Sequence, residues 1–181
     1  MRLDAIVVVP YDADWARSFA RAREVVEPVL APCLVRPVEH MGSTAVPGLA
    51  AKPIVDMLAV VGDVDDAHRV LPVLAEVGWV HAPEPGDDDD RMLSVCSPSV
   101  ERRTHHLHVV EERSQEWRGW LAFRDHLRTH ADARDDYAAL KSELARRVGG
   151  NPDDREPYRQ GKAEFIRAQT ALAQAEGLGP R

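Results

Sequence analysis

The run "KPIVDMLAVV", Lys52 to Val61, constrains this chain more than any other stretch. Apolar residues occupy both of its alternating sets, the pattern of a strand covered on both faces. Such a strand belongs in the middle of a sheet and needs other elements above and below it. Its oddity is Asp56. A carboxylate in an otherwise apolar strand requires hydrogen bonds, a counter-charge, a metal or a chemical role, because burying it alone is too costly.

The flanking sequence supplies the other layers. "AIVVV" reads as a short edge strand over Ala5 to Val9, ended by Pro10. Asp12 or Asp14 suits a helix N-cap, and Trp15, Phe19, Ala22, Val26, Val29 and Leu30 follow at helical spacing until Pro32. "CLVRPVEHMG" is a second extended piece. "VDDAHRVLPVLAEVG" reads as a helix interrupted at Pro72 and stopped by Gly78. "WVHAPE", "MLSVCS" and "THHLHVVE" are short strands, the last two a hairpin through "SPSVERR"; "PGDDDDRM" between them is a solvated acidic loop. After Glu111 the periodicity turns helical, with one helix around Trp117 to Leu127, another from Asp132 closed by Gly149-Gly150, and a last one from about Pro157. The expectation is one α+β domain over residues 1–181, sheet-rich to about 111, helical over about 112–176, with a frayed tail at 177–181.

The formal net charge of -7 argues against a nucleic-acid binder held by its overall electrostatics. Cys33 and Cys96 lack CxxC spacing, which argues against a disulfide framework or a thiolate zinc site. No apolar run of about 18 residues and no leader pattern is present, so no membrane span and a cytoplasmic location are expected.

Gly42 and Ser43 stand where an extended piece meets a turn, and the N–H groups of such a turn with the Ser43 hydroxyl can hold a phosphate. Lys52 follows nine residues on and Asp56 four beyond that, a spacing that resembles the nucleotidyltransferase fold, in which a serine turn holds triphosphate and strand carboxylates hold divalent metal. His106 and His108, two apart on a strand, share one face about 7 Å apart and suit Zn, Mn or Ni. With Asp56 and Glu39 they form a candidate polar cluster. Arg124 and Arg128 share a helix face and are candidate phosphate ligands; Tyr158 and Lys162 stand one turn apart, with Arg91 and Arg103 as further candidates. Plainer readings exist for each: Asp56 bonded to a neighbouring loop, the histidines on a solvent face, Ser43 as a capping residue, Lys52 in solvent, Arg124 and Arg128 paired with Asp125.

Taken in order, "PYDADW", "VEHMGSTAVPGLAAKPIVDMLAVV", "HHLHVV", "FRDHLR", "YAALK" and the late "Y…K.EFI" resemble the GrpB family from Val7 to about Ile166. The resemblance implies a nucleotidyltransferase-like fold, a cytoplasmic bacterial protein, and a link to dephospho-coenzyme A kinase, to which some relatives are fused. One departure stands out. Active nucleotidyltransferases carry a second carboxylate two residues after the first, on the same strand face; here that position is Leu58.

Three functions follow as expectations. In the first, the chain binds a nucleotide or other phosphorylated small molecule with a divalent metal (Mg, Mn or Zn), Asp56 being catalytic, Gly42, Ser43, Lys52, Arg124 and Arg128 holding phosphate, and Asp56, His106, His108 and Glu39 holding metal. The second is a non-catalytic accessory module related to coenzyme A metabolism. The third is a metal-assisted hydrolase that uses the histidines.

Overall fold

The computed structural model describes residues 6–84, 87, 91–148 and 155–180. Its centre is a five-stranded mixed sheet built from β1 (Glu39–Met41), β2 (Val55–Val61), β3 (Val80–His81), β4 (Met92–Ser97) and β5 (His105–Glu111), in the spatial order β1-β2-β5-β4-β3. The apolar run is indeed an inner strand: β2 pairs antiparallel with β1 and parallel with β5, and β5 pairs antiparallel with β4.

Both faces of β2 are covered, as its composition requires. Val55, Met57, Ala59 and Val61 point into the larger core with Leu107 and Val109, beneath α1 (Asp14–Leu30), α2 (Val64–Arg69) and α3 (Leu71–Glu76). Leu58 and Val60 point the other way, where Trp117 and Leu121 of α4 (Glu116–Thr129) pack on them. A third cluster joins Val46 and Leu49, in the stretch after β1, to Leu127 of α4 and Tyr137 of α5 (Ala131–Val148); Phe165 of α6 (Arg155–Ala175) stacks on Tyr137. The helical second half therefore clamps the loop that follows β1.

Several expectations change in three dimensions. Val9 makes only an isolated bridge to Ala51 rather than an edge strand, and Ala5 lies outside the described residues. The expected helix over "VDDAHRVLPVLAEVG" is two helices broken at Val70, because Pro72 lacks an N–H and is tolerated only in the first turn of α3. Asp63 caps α2, its carboxylate accepting from Asp65 N at 2.9 Å. Gly149, Gly150 and Asp88–Asp90 lie outside the described residues. Asp87, expected in a solvated loop, is buried: its carboxylate accepts from Glu84 N at 2.9 Å and fixes the turn that presents Glu84. His105, on the opposite face of its strand from His106, packs edge-on against Trp79 with its Nε2 3.0 Å from Ser18 Oγ. At the C-terminal end, residues 177–180 turn back, Leu178 N donating to Ala173 O, and Gly179 sits against Ala122 of α4. Among the described residues no helix is long and apolar enough to cross a membrane.

Candidate functional site

The parallel register of β2 and β5 sets Asp56 opposite His106 and Leu58 opposite His108. Because side chains alternate, all four share one sheet face. Leu58 lies under α4, whereas Asp56 lies beyond the end of that cover, and there the sheet opens into a cleft of about 140 Å³. Asp56 Oδ1 is 3.7 Å from His106 Nδ1 and 4.0 Å from His108 Nε2. His106 Nε2 is in turn 3.5 Å from Glu84 Oε1, which also accepts from Arg103 Nη1 at 3.3 Å.

Gly42 is bound to this place by geometry. Its φ of 69° and ψ of -169° fall in a region that is essentially glycine's alone. A Cβ there would stand 2.6 Å from Asp56 Oδ2. The turn after β1 thus lies directly on the Asp56 carboxylate. Ser43 follows, its Oγ accepting from Lys141 Nζ at 3.0 Å. Lys141 Nζ also donates to Ala50 O and lies 4.7 Å from the centre of the Tyr137 ring.

Cations ring the cleft. Lys52 precedes β2, Arg103 precedes β5, Lys141 comes from α5 and Lys162 from α6; Thr44, Ile54 and Tyr158 complete the wall. Burial pushes the Asp56 carboxyl up to about 6, against the pull of Arg103, Lys52 and Lys162. Burial and repulsion from Lys162 bring Lys141 down to about 7; burial and Lys52 bring Lys162 down to about 8. An anion entering here would meet lysines whose charged state it would itself restore.

Of the residues singled out in the sequence, Ser43, Lys52, Asp56, Arg103, His106, Tyr158 and Lys162 line this cleft, with Gly42 in contact with Asp56 and His108 beside it. The structure does not bring Glu39, Arg124 or Arg128 there. Arg124 is buried, its Nη1 donating to Glu39 Oε2 at 2.9 Å and to His40 O at 2.8 Å, its Nε to Asp125 Oδ1 at 2.8 Å. Arg128 Nε donates to Ala45 O at 2.9 Å. These arginines fasten β1 and the glycine-serine turn to α4, and with Glu39 they border a separate cavity. Lys141 and Glu84 escaped the sequence reading. Lys141 left a faint signal, since it stands four residues after Tyr137 and three before Leu144, on the apolar side of its helix; Glu84 left none.

Asp56, His106 and His108 each offer a ligand atom, all within 4.8 Å of one another. Zinc at about 2.0–2.1 Å from its ligands sets ligand separations of about 3.3–3.4 Å, so the set fits such an ion after a small contraction. Two imidazoles and one carboxylate suit zinc or a similar transition metal better than magnesium, which prefers all-oxygen sites.

The GrpB protein family model matches residues 5–171. The chain is 40% identical over 166 residues to a UPF0157 protein of Pseudomonas aeruginosa, covering 90% of this chain and 65% of that one. It is 32% identical to the UPF0157 protein YqkA of Bacillus subtilis, covering 90% of this chain but 45% of the relative. A dephospho-CoA kinase of Mycolicibacterium paratuberculosis is 28% identical over 168 residues, 81% of this chain and 41% of the enzyme. The chain thus spans about half to two thirds of the curated relatives it matches first. Among solved structures, the conserved protein GrpB from Enterococcus faecalis superposes with a TM-score of 0.81 at 28% identity, over 94% of this chain and 98% of that one. Cid1 in complex with its short product ApU superposes with a TM-score of 0.52 at 12% identity, over 74% and 42%, a likeness of fold alone. Built on a nucleotidyltransferase-like sheet and matched along nearly its whole length, the chain belongs to the GrpB family.

Proposed function

We propose that the cleft binds the phosphorylated end of a nucleotide or other phosphorylated small molecule beside a divalent metal held by Asp56, His106 and His108. The observation that carries this reading is the convergence of Lys52, Arg103, Lys141 and Lys162, from four separate parts of an acidic chain, around one strand carboxylate. The cleft is smaller than the roughly 300 Å³ of a pocket that engulfs a small ligand, which suits a phosphoryl group with the remainder of the molecule at the surface. Gly42 and Ser43 shape the turn over the metal side; Lys141 positions the Ser43 hydroxyl and adds its own charge. A bound divalent ion would polarise a phosphoryl oxygen or activate water. In this proposal Ser43, which lines the cleft beside Lys141, keeps the phosphate-facing place expected of it, and Lys141 and Lys162 take the place of Arg124 and Arg128 as the phosphate-facing cations.

A second reading, a binding module without transfer chemistry, is favoured by one observation. Leu58 is fully buried under α4, so the position of a second strand carboxylate is part of the core. The relationship to a dephospho-CoA kinase makes coenzyme A precursors the first ligands to try under either reading.

The test is thermal stability with ATP, UTP and dephospho-coenzyme A, each with and without Zn, Mn or Mg, since ligands of the native state raise the melting temperature by mass action. A shift that needs both partners and vanishes in Asp56→Asn and in Lys141→Met supports the proposal. Turnover of the bound ligand then separates enzyme from module. A shift that survives both substitutions places binding elsewhere and overturns it.

A further inference from the structure

A second cluster lies on the far side of the helical half, away from the cleft, and no role in phosphate binding touches it. His126 in the last turn of α4 and His130, the residue that ends that helix, stand four residues apart on "HLRTH" with their rings stacked, and Glu176 reaches them from just past the end of α6. Their ligand atoms lie within 4.8 Å of one another, beside a cavity of about 460 Å³ that Asp132 and Gln169 also border.

The hydrogen bonds show what this group lacks. His126 Nε2 is 2.9 Å from Gln169 Oε1, an oxygen that only accepts, so that nitrogen carries the hydrogen. In the neutral ring Nδ1 is then a lone pair, and it faces Glu176 Oε2 at 3.3 Å, which also only accepts. His130 repeats the arrangement. Its Nδ1 is 3.1 Å from His126 O and 3.0 Å from Thr129 Oγ1, whose own hydrogen goes to a backbone carbonyl. Its Nε2 lone pair faces Glu176 Oε1 at 3.4 Å. Two imidazole lone pairs and two carboxylate oxygens therefore converge with no hydrogen between them. One divalent ion answers it directly: one ligand atom from each residue lies within 4.8 Å of the others, and a small contraction of the half-exposed His130 and Glu176 brings them to the edge of about 3.3–3.4 Å that a tetrahedral zinc site requires.

We propose that His126 Nδ1, His130 Nε2 and Glu176 form a transition-metal site, of zinc type, that clips the C-terminal end of α6 to α4. Gln169 and the His126 carbonyl act as the outer partners that fix each ring's tautomer. His126 is buried and supplies the rigid half of the site, whereas about two fifths of the His130 and Glu176 side chains is exposed, which leaves a coordination position open to water. Since α6 also carries Tyr158 and Lys162 to the cleft, the clip steadies the helix that forms one cleft wall.

The test is calorimetric titration of untagged, chelator-stripped protein with zinc chloride. It is made in the wild type and in a His106→Ala/His108→Ala variant, which removes the other histidine cluster. One equivalent bound in that variant, weakened about 100-fold by adding His130→Ala or Glu176→Gln, is the expected result; that loss exceeds what most outer-shell substitutions cause. Should the double variant fail to fold, zinc-dependent shifts of the His126 and His130 ring resonances in the wild type give the same answer. No uptake up to millimolar zinc, uptake indifferent to His130→Ala and Glu176→Gln, or ring resonances that zinc leaves unmoved would each overturn the site. Because the readout is metal on α4 and α6, failure of phosphate binding in the cleft does not affect it.

Discussion

Replacing Gly42 by alanine tests whether the glycine-serine turn is built around the carboxylate it covers. Two penalties add. At φ 69° and ψ -169° any residue but glycine is strained by roughly 1–3 kcal/mol. The new Cβ would also stand 2.6 Å from Asp56 Oδ2 and 3.0 Å from Asp56 Cβ, so the strand carboxylate or the turn must move, a displacement of the kind that costs about 1–3 kcal/mol in a packed site. Gly78 provides the control: its φ is 84°, but a Cβ there meets nothing within 4 Å, so Gly78→Ala carries backbone strain alone. Urea denaturation should find Gly42→Ala destabilised by about 3–4 kcal/mol, a melting point lower by about 10 °C, and Gly78→Ala by about half as much. Metal and phosphate binding in the cleft should fall with Gly42→Ala and survive Gly78→Ala. Equal losses of stability in the two variants, with binding intact in both, would refute the claim that the turn is fitted to Asp56.

Three further outcomes follow from the site's charges and packing. With its carboxyl raised to about 6 in the fold against 3.8 as the ordinary value, Asp56 holds its proton more tightly when folded, so its presence costs nothing below about pH 4 and progressively more as pH rises toward 6. Asp56→Asn should therefore match the wild type near pH 4 and be more stable by about 1–2 kcal/mol at pH 7 in metal-free protein, a figure discounted because a third of the side chain is exposed; an Asn variant less stable at pH 7 would contradict this. Polyanion binding at pH 8 should draw protons onto Lys141 and Lys162, read as a dependence of the calorimetric enthalpy on the buffer's ionisation heat, and a buffer-independent enthalpy would refute their part in the site. Leu58→Asp should not restore a two-carboxylate centre but should destabilise the fold by about 3–5 kcal/mol or prevent folding, because the new carboxylate lands among Trp117, Val60 and Leu121; a folded variant with strengthened metal binding would show that α4 yields there.

The chain's own residue order determined the central strand, the polar oddity within it and most of one wall of the cleft. "IVDMLAVV" can bury both faces only as an inner strand, and the alternation of "HHLH" commits His106 and His108 to a common face before any partner is known. Glycine beside serine marked a turn, and the ordered motifs from "PYDADW" to "YAALK" marked the family that the comparison then established. What local pattern cannot carry is which side chains from distant segments meet. Arg124 and Arg128 share a helix face equally well whether they face phosphate or Glu39 and two backbone carbonyls; only the docking of α4 on β1 chose the second. Lys141, 98 residues from Ser43, reached the cleft because α5 packs on the loop after β1. The packing of α4 on the sheet hid Leu58, and the joining of α4 to the end of α6 brought Glu176 to His126, 50 residues earlier, and to His130. Strand periodicity is a property of neighbours along the chain, whereas charge pairing and metal geometry are properties of neighbours in space, fixed only when the helices have found their faces of the sheet.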